Sequence, residues 1–246
     1  MSDPILDTLD AETRQKVEAA SQVLRFRSGD HVIEAGQGAD FIYFLRRGAI
    51  RIYHRGPADR EIVVMFCRAP AMFGEVEVIH DVPHFVNVAA MSDGTEILAV
   101  PRAVFLDLLE RDPLLTRALL RDTSAKLRMA SYNQKALATQ DVRTRLATFL
   151  VAYAMFDGAP RGPSELRIRA QLTQDDMAAA LGVTRRAVAQ EIARWTKLGV
   201  LDRDEGRYVV CQMGALSGEA ATAHIGLVYD GSVGLVVVPG SDESPA

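Results

Sequence analysis

The sequence predicts an α+β chain in three parts. These are an N-terminal double-stranded β-roll of the jelly-roll kind, one long helix, and a small C-terminal domain with two short helices and a β-hairpin. Three observations carry this. Between residues 22 and 100, short β-rich runs follow one another with turn signals between them. Residues 114–138 contain neither Gly nor Pro and keep a helical period. Residues 172–201 (LTQDDMAAALGVTRRAVAQEIARWTKLGVL) read as two helices joined at Gly182. The implied boundaries are 1–112 for the roll with a short leading helix, 113–139 for the long helix, 140–212 for the C-terminal domain, and 213–246 for an acidic and apolar extension of unknown role.

Residues 4–20 (PILDTLDAETRQKVEAA) make a short amphipathic segment with Ile5, Leu6, Leu9 and Val17 as its apolar contributors. The strand candidates are QVLRF, HVIEA, FIYFLR, AIRIYH, EIVVMFC, FVNVAAM and TEILAV. Ser28-Gly29-Asp30, Gly36-Gln37-Gly38, Arg47-Gly48, Gly56-Pro57 and Asp93-Gly94 punctuate them. Alternation in AIRIYH puts Ile50 and Ile52 on one face and Arg51 and Tyr53 on the other, one pair in and one out.

The run 114–138 spans about 38 Å as a helix, longer than a small domain needs for its own core. Leu120, Leu127, Ser131 and Gln134 share a stripe on it, so the helix is expected to pack against its twin in a homodimer. The alternative is a linker helix lying on the roll. DVRTRLATFLVAYAMF reads as an amphipathic helix opening the C-terminal domain, and GAPRGPSE as a loop. GVLDRDEGRYVVC reads as a hairpin turning near Asp204-Glu205-Gly206. In the tail, HIGLVYDGSVGLVVVPG holds two apolar runs around Asp230-Gly231, a hairpin signal.

In the two-helix segment, Thr173 and Asp176 have capping-box spacing, Gly182 ends the first helix, and Thr184 caps the second. Val188, Ile192 and Trp195 fall on one side; Arg186, Gln190 and Lys197 lie opposite, with Arg185 in the opening turn. Cations in a helix's first turn oppose its dipole, at a cost of about 0.3–1 kcal/mol each. A polyanionic partner removes that penalty, and the start of such a helix is what enters the DNA major groove. A plain helical hairpin with a solvated basic face is the competing reading. The net charge of −4 does not argue against DNA, because residues 213–246 hold Glu219, Asp230, Asp242 and Glu243 and no Lys or Arg. Residues 184–197, by contrast, hold Arg185, Arg186, Arg194 and Lys197 against Glu191.

The order of parts, together with FIYFLRRGAIRIY, MFGEVEVI and the two-helix segment, resembles the CRP/FNR family of bacterial transcription regulators over residues 5 to 212. The resemblance implies a cyclic nucleotide-binding-like roll, a dimerisation helix and a winged helix-turn-helix. It also implies a homodimer on double-stranded DNA with near-palindromic sites, and RNA polymerase as a further candidate partner. Arg185, Arg186 and Gln190 are then the base readers. Thr173, Thr184, Lys197, Arg203 and Arg207 are the phosphate contacts.

In cyclic AMP-responsive members the Glu of the FGE cassette holds ribose hydroxyls, and an Arg-Ser pair holds the phosphate. Here Phe73, Gly74 and Glu75 remain, but the pair becomes His84 and Phe85, with Phe85 expected to fill the phosphate space. Only Ser131 survives of the hydroxyl pair on the long helix. Gly74, Glu75, His84, Phe85 and Ser131 would line the pocket if it functions. Control by cyclic AMP is therefore not expected. Another cyclic nucleotide, or haem on His80 or His84, is the alternative, and the effector is unknown.

Two cysteines, Cys67 and Cys211, exclude a disulfide framework and a cysteine-ligated cluster. No cofactor or metal is expected. No membrane segment or signal peptide is read, so the expected location is the cytoplasm. No P-loop, GxSxG or HExxH motif points to an enzyme.

Overall fold

The computed structural model describes residues 9–56, 59, 61–170, 172–220 and 228–229. Contacts divide the chain into two compact units, with the change of unit along the long helix falling between Met129 and Ala130. The leading helix is α1 (Ala11–Ala20), N-capped by Asp10, whose carboxylate accepts the Thr13 N–H at 2.8 Å. Leu9 and Val17 are buried. Ile5 and Leu6 lie outside the described residues.

The roll contains β1 (Gln22–Phe26), β2 (His31–Ile33), β3 (Phe41–Arg47), β4 (Ala49–Arg55), β5 (Glu61–Arg68), β6 (Ala71–Phe73), β7 (Asn87–Ala90) and β8 (Thr95–Pro101). One sheet has the order β1-β8-β3-β6, and the other runs β5-β4-β7-β2. Outside β5 lies a two-residue parallel strand, Val228–Tyr229. The rest of the predicted tail hairpin lies outside the described residues. Gly48 turns β3 into β4 at φ +89°, where a Cβ would come within 2.5 Å of the Thr95 hydroxyl. Both its backbone and its surroundings therefore demand glycine.

The predicted one-face burial of β4 is corrected. Ile50 and Tyr53, on opposite faces, are both buried, while Arg51 and Ile52 are half-buried. Tyr53 is drawn inward because its hydroxyl meets His31 Nδ1 at 3.2 Å and the Arg51 guanidinium lies 5.5 Å from its ring centroid.

Three helices complete this part of the chain: α2 (Glu75–His80), α3 (Arg102–Arg111) and the long α4 (Pro113–Thr139). Proline at the first helical position suits α4, since that N–H would go unpaired anyway. The apolar core gathers Ile42, Phe44, Met72, Leu98 and Phe105 with Leu115 and Leu119 of α4.

The second unit contains α5 (Val142–Asp157), β9 (Gly158–Pro160), β10 (Leu166–Ile168), α6 (Gln174–Leu181), α7 (Arg185–Lys197), β11 (Leu201–Asp204), β12 (Arg207–Val210) and α8 (Met213–Glu219). Its sheet runs β11-β12-β10-β9. The expectation of an amphipathic α5 is corrected: every residue from Leu146 to Ala154 is buried. A helix covered on all sides is the centre of its unit rather than its surface. Residues 213–219, read from the sequence as extension, form α8, whose Leu216 is fully buried; α8 packs on α5.

Candidate nucleic-acid interface and cassette pocket

The two-helix segment is set by its caps. The Thr173 hydroxyl accepts the Asp176 N–H at 3.0 Å, and the Asp176 carboxylate accepts the Thr173 N–H at 3.0 Å. Gly182 takes φ 62° and ψ 38°, ending α6, and the Thr184 hydroxyl accepts the Ala187 N–H at 3.2 Å to begin α7. Val188, Ile192 and Trp195 are buried, which leaves Arg185, Arg186, Gln190 and Lys197 exposed. Arg185 lies 3.5 Å from Asp175, both side chains largely in solvent. Thr173, Gln174, Arg185, Arg203 and Gly206 line one surface cleft. An exposed, cation-bearing first turn beside the hairpin is a surface suited to a polyanion.

The hairpin turns at Glu205 and Gly206, both at positive φ. Arg203 stacks 4.1 Å from the Tyr208 ring centroid and donates to its hydroxyl and to the Gly206 carbonyl. Arg207 donates to the Arg169 carbonyl at 2.8 Å. The hairpin's own acids are matched by cations that the sequence reading passed over: Arg167 meets Asp204 at 3.1 Å and Arg161 meets Asp202 at 3.3 Å. Arg194 does not belong with the outward cations. It bonds Glu219 of α8 at 2.9 Å and lies 3.6 Å from Glu191, which Arg143 also holds, at 2.9 Å.

In the roll, the cassette begins at Gly74, φ +85°, where a Cβ would meet the Tyr43 ring at 3.2 Å. Glu75 follows, and it is buried. Its carboxylate accepts a hydrogen bond at 2.8 Å from Lys126 of α4. The same ammonium lies 2.8 Å from Asp122 and donates to the Met72 carbonyl at 2.6 Å. The ammonium thus donates to two protein oxygens and forms an ion pair with a third. Burial alone would push Lys126 down, but Glu75 and Asp122 outweigh it and hold the amine charged well above its ordinary range. Nearby, burial pushes the Cys67 thiol up to about 12.

One expectation for this pocket is corrected, and His84 takes a buried position beside it. Phe85 does not fill it: the ring is 55% exposed and leans towards His54. His84, expected to line the pocket, is buried. The cause lies in the backbone: the His84 N–H donates to Gln37 and its carbonyl accepts from Gly36. With the backbone so held, His84 is buried and the neighbouring Phe85 exposed. His84 Nδ1 lies 3.6 Å from Glu77, and neither ring nitrogen has a hydrogen-bond partner among the described residues. Burial raises the Glu77 pKa, but the His84 ring and nearby backbone N–H groups outweigh it, and the net shift is downward. Ser131 is exposed, and the α4 side chain that reaches Glu75 is Lys126. His80 is exposed, and His224 lies outside the described residues.

Comparison with known proteins joins these observations. Residues 23–112 match the family model of the cyclic nucleotide-binding domain, and residues 144–218 that of the Crp-like helix-turn-helix domain. The chain belongs to the CRP/FNR family. It is a transcription regulator with a helix-turn-helix DNA-binding domain, and the family is not one of enzymes. A CRP-like cAMP-activated global transcriptional regulator of Mycobacterium tuberculosis is 26% identical over 189 residues, covering 77% of this chain and 83% of that protein. The global nitrogen regulator of a Synechocystis species is 27% identical over 157 residues, covering 63% and 69%. A solved CRP/FNR-family structure from Eubacterium rectale superposes with a TM-score of 0.72 at 13% identity, over 88% of this chain and 97% of that one. At that identity the likeness is one of fold. The helix-turn-helix match runs into α8, in keeping with the packing of α8 on α5. Among the described residues, no helix is long and apolar enough to cross a membrane.

Proposed function

We propose that this CRP/FNR regulator acts as a homodimer on near-palindromic DNA sites without control by cyclic AMP. The two copies of α7 would enter successive major grooves, about 34 Å apart. Arg185, Arg186 and Gln190 read bases, while Thr173, Thr184, Lys197, Arg203 and Arg207 lie along phosphate. The exposure of the first three, above a buried Val188–Ile192–Trp195 face, supports these roles. The bond from Lys126 to Glu75 is the observation that carries independence from cyclic AMP. The cassette carboxylate already has an internal cation, and the phosphate position offers His84 in place of a forked guanidinium.

DNA selection with purified, nucleotide-free protein tests this reading, repeated at equal salt with cyclic AMP, cyclic GMP and cyclic di-GMP. The expected result is one two-fold symmetric site whose affinity no nucleotide changes. Enrichment only after a nucleotide is added would overturn it. The buried His84 ring, beside Glu77 and with neither nitrogen hydrogen-bonded among the described residues, favours a second reading, in which a different small molecule occupies the roll and gates DNA binding. That reading predicts loss of the response to such a ligand in His84→Phe.

A further inference from the structure

We propose that the exposed seam of α4 holds a phosphate-bearing polyanion between two copies of this chain. The proposal rests on the reading of α4 as the helix that pairs in the homodimer.

Its starting point is how α4 sorts its charges. The helix contains a single acid, Asp122, which is buried and held by Lys126. Arg117, Arg121 and Arg128 are all exposed, and among the described residues none of the three forms an ion pair. With Leu120, Ser124 and Ala125 they line one shallow cleft. At about 100° per residue the three arginines fall within roughly 40° of one another, on one flank of the Leu120–Ser124–Leu127–Ser131 stripe. The opposite flank carries Thr116, Thr123 and Ala130, with no carboxylate.

Pairing two such helices in parallel about a two-fold axis sets the arginines of each copy beside the Thr116, Thr123 and Ala130 flank of the other, so both grooves of the pair are lined by three cations and no carboxylate. Neither flank offers a counter-charge there, and like charges in a seam oppose association. A phosphate-rich ligand reverses the sign of that effect, because guanidinium forks bind phosphate oxygens in bidentate fashion. From Arg117 to Arg128 the helix rises about 16 Å, longer than one phosphate, which selects a ligand with several phosphate groups. The site is incomplete in one copy, since the second copy closes it.

The test is sedimentation equilibrium of the full chain with inorganic tripolyphosphate, against sodium chloride at the same ionic strength and without DNA. In the wild type, tripolyphosphate should tighten the dimer about tenfold or more, as mass action requires of a ligand favouring the dimer. In R121Q/R128Q that response should vanish, while dimerisation in chloride is at least as strong as in the wild type. These arginines are exposed, so folding should be unaffected, with circular dichroism as the control. A wild-type dimer indifferent to tripolyphosphate overturns the anion site and leaves the dimer reading standing. An undiminished response in R121Q/R128Q also overturns it. A chain that stays monomeric in every condition overturns the dimer reading beneath it.

Discussion

Lys126 places a full charge where the core should be apolar, and oxygens of Glu75, Asp122 and Met72 offset its cost. Removing one member of a buried ion cluster costs about 3–5 kcal/mol, because the remaining charges stay buried without a partner. Lys126→Met should therefore lower stability at pH 7 by about that amount. In the wild type the contribution of the raised amine is complete below the ordinary lysine value of 10.5 and is lost only as pH rises beyond it. Urea unfolding at pH 7 decides, with E75Q/K126M/D122N expected to recover most of the loss; an equal loss in the triple variant would refute the account. On α7, Arg186→Ala should reduce discrimination at one base position by about 1–3 kcal/mol, whereas Lys197→Ala should weaken all sequences alike. Titrations on the selected site and on a scrambled duplex at equal salt separate the two, and parallel losses in both variants would remove the distinction. The cluster was in principle legible: Leu115, Leu119, Asp122 and Lys126 recur at helical spacing, and the apolar residues among them announce a buried face. The charged pair concealed that period.

At the level of elements, what could be read locally was read well. The two helices of the DNA-binding motif begin and end where Thr173, Gly182 and Thr184 place them, because each cap satisfies backbone groups within a few residues. Gly182 makes this testable. Its left-handed backbone has nothing within 4 Å of a Cβ, so a substitution there suffers strain but no clash. Gly182→Ala should cost about 1–2 kcal/mol, and Gly182→Asn less, since asparagine tolerates that conformation. Thermal unfolding of both variants measures it, and an equal loss would mean that a hidden contact dominates. What failed to show locally was burial contributed by distant chain. The sequence of α5 looks half-polar at its start, yet nine residues in a row are covered by elements that follow it. One of those is α8, whose own sequence, MGALSGE, carries no distinctive helical signal. His84 belongs with these, since the turn that drives it inward lies almost fifty residues earlier, at Gly36 and Gln37.

For the molecule as a whole, the proposed homodimer turns on α4, whose Leu120 and Leu127 are 62% and 71% exposed in one copy. Burying a leucine is worth about 1.5–3 kcal/mol, so two from each copy, with the small Ser124 and Ser131 allowing close approach, would favour that pairing. L120N/L127N should therefore be monomeric at concentrations where the wild type is dimeric, with helix content and thermal unfolding almost unchanged. Its effect on DNA follows from linkage rather than from any lost base contact. Once one recognition helix of a dimer is bound, the second meets its half-site at an effective concentration near millimolar, an advantage of about 10²–10⁴. The monomer loses it, so affinity for the full site should fall by that factor while affinity for an isolated half-site stays the same. Sedimentation and titration on full and half sites check this together. If the variant remains dimeric, the pairing surface lies elsewhere than the α4 stripe. If it is monomeric yet binds the full site undiminished, the second half-site contributes nothing, and recognition rests on one copy of Arg185, Arg186 and Gln190.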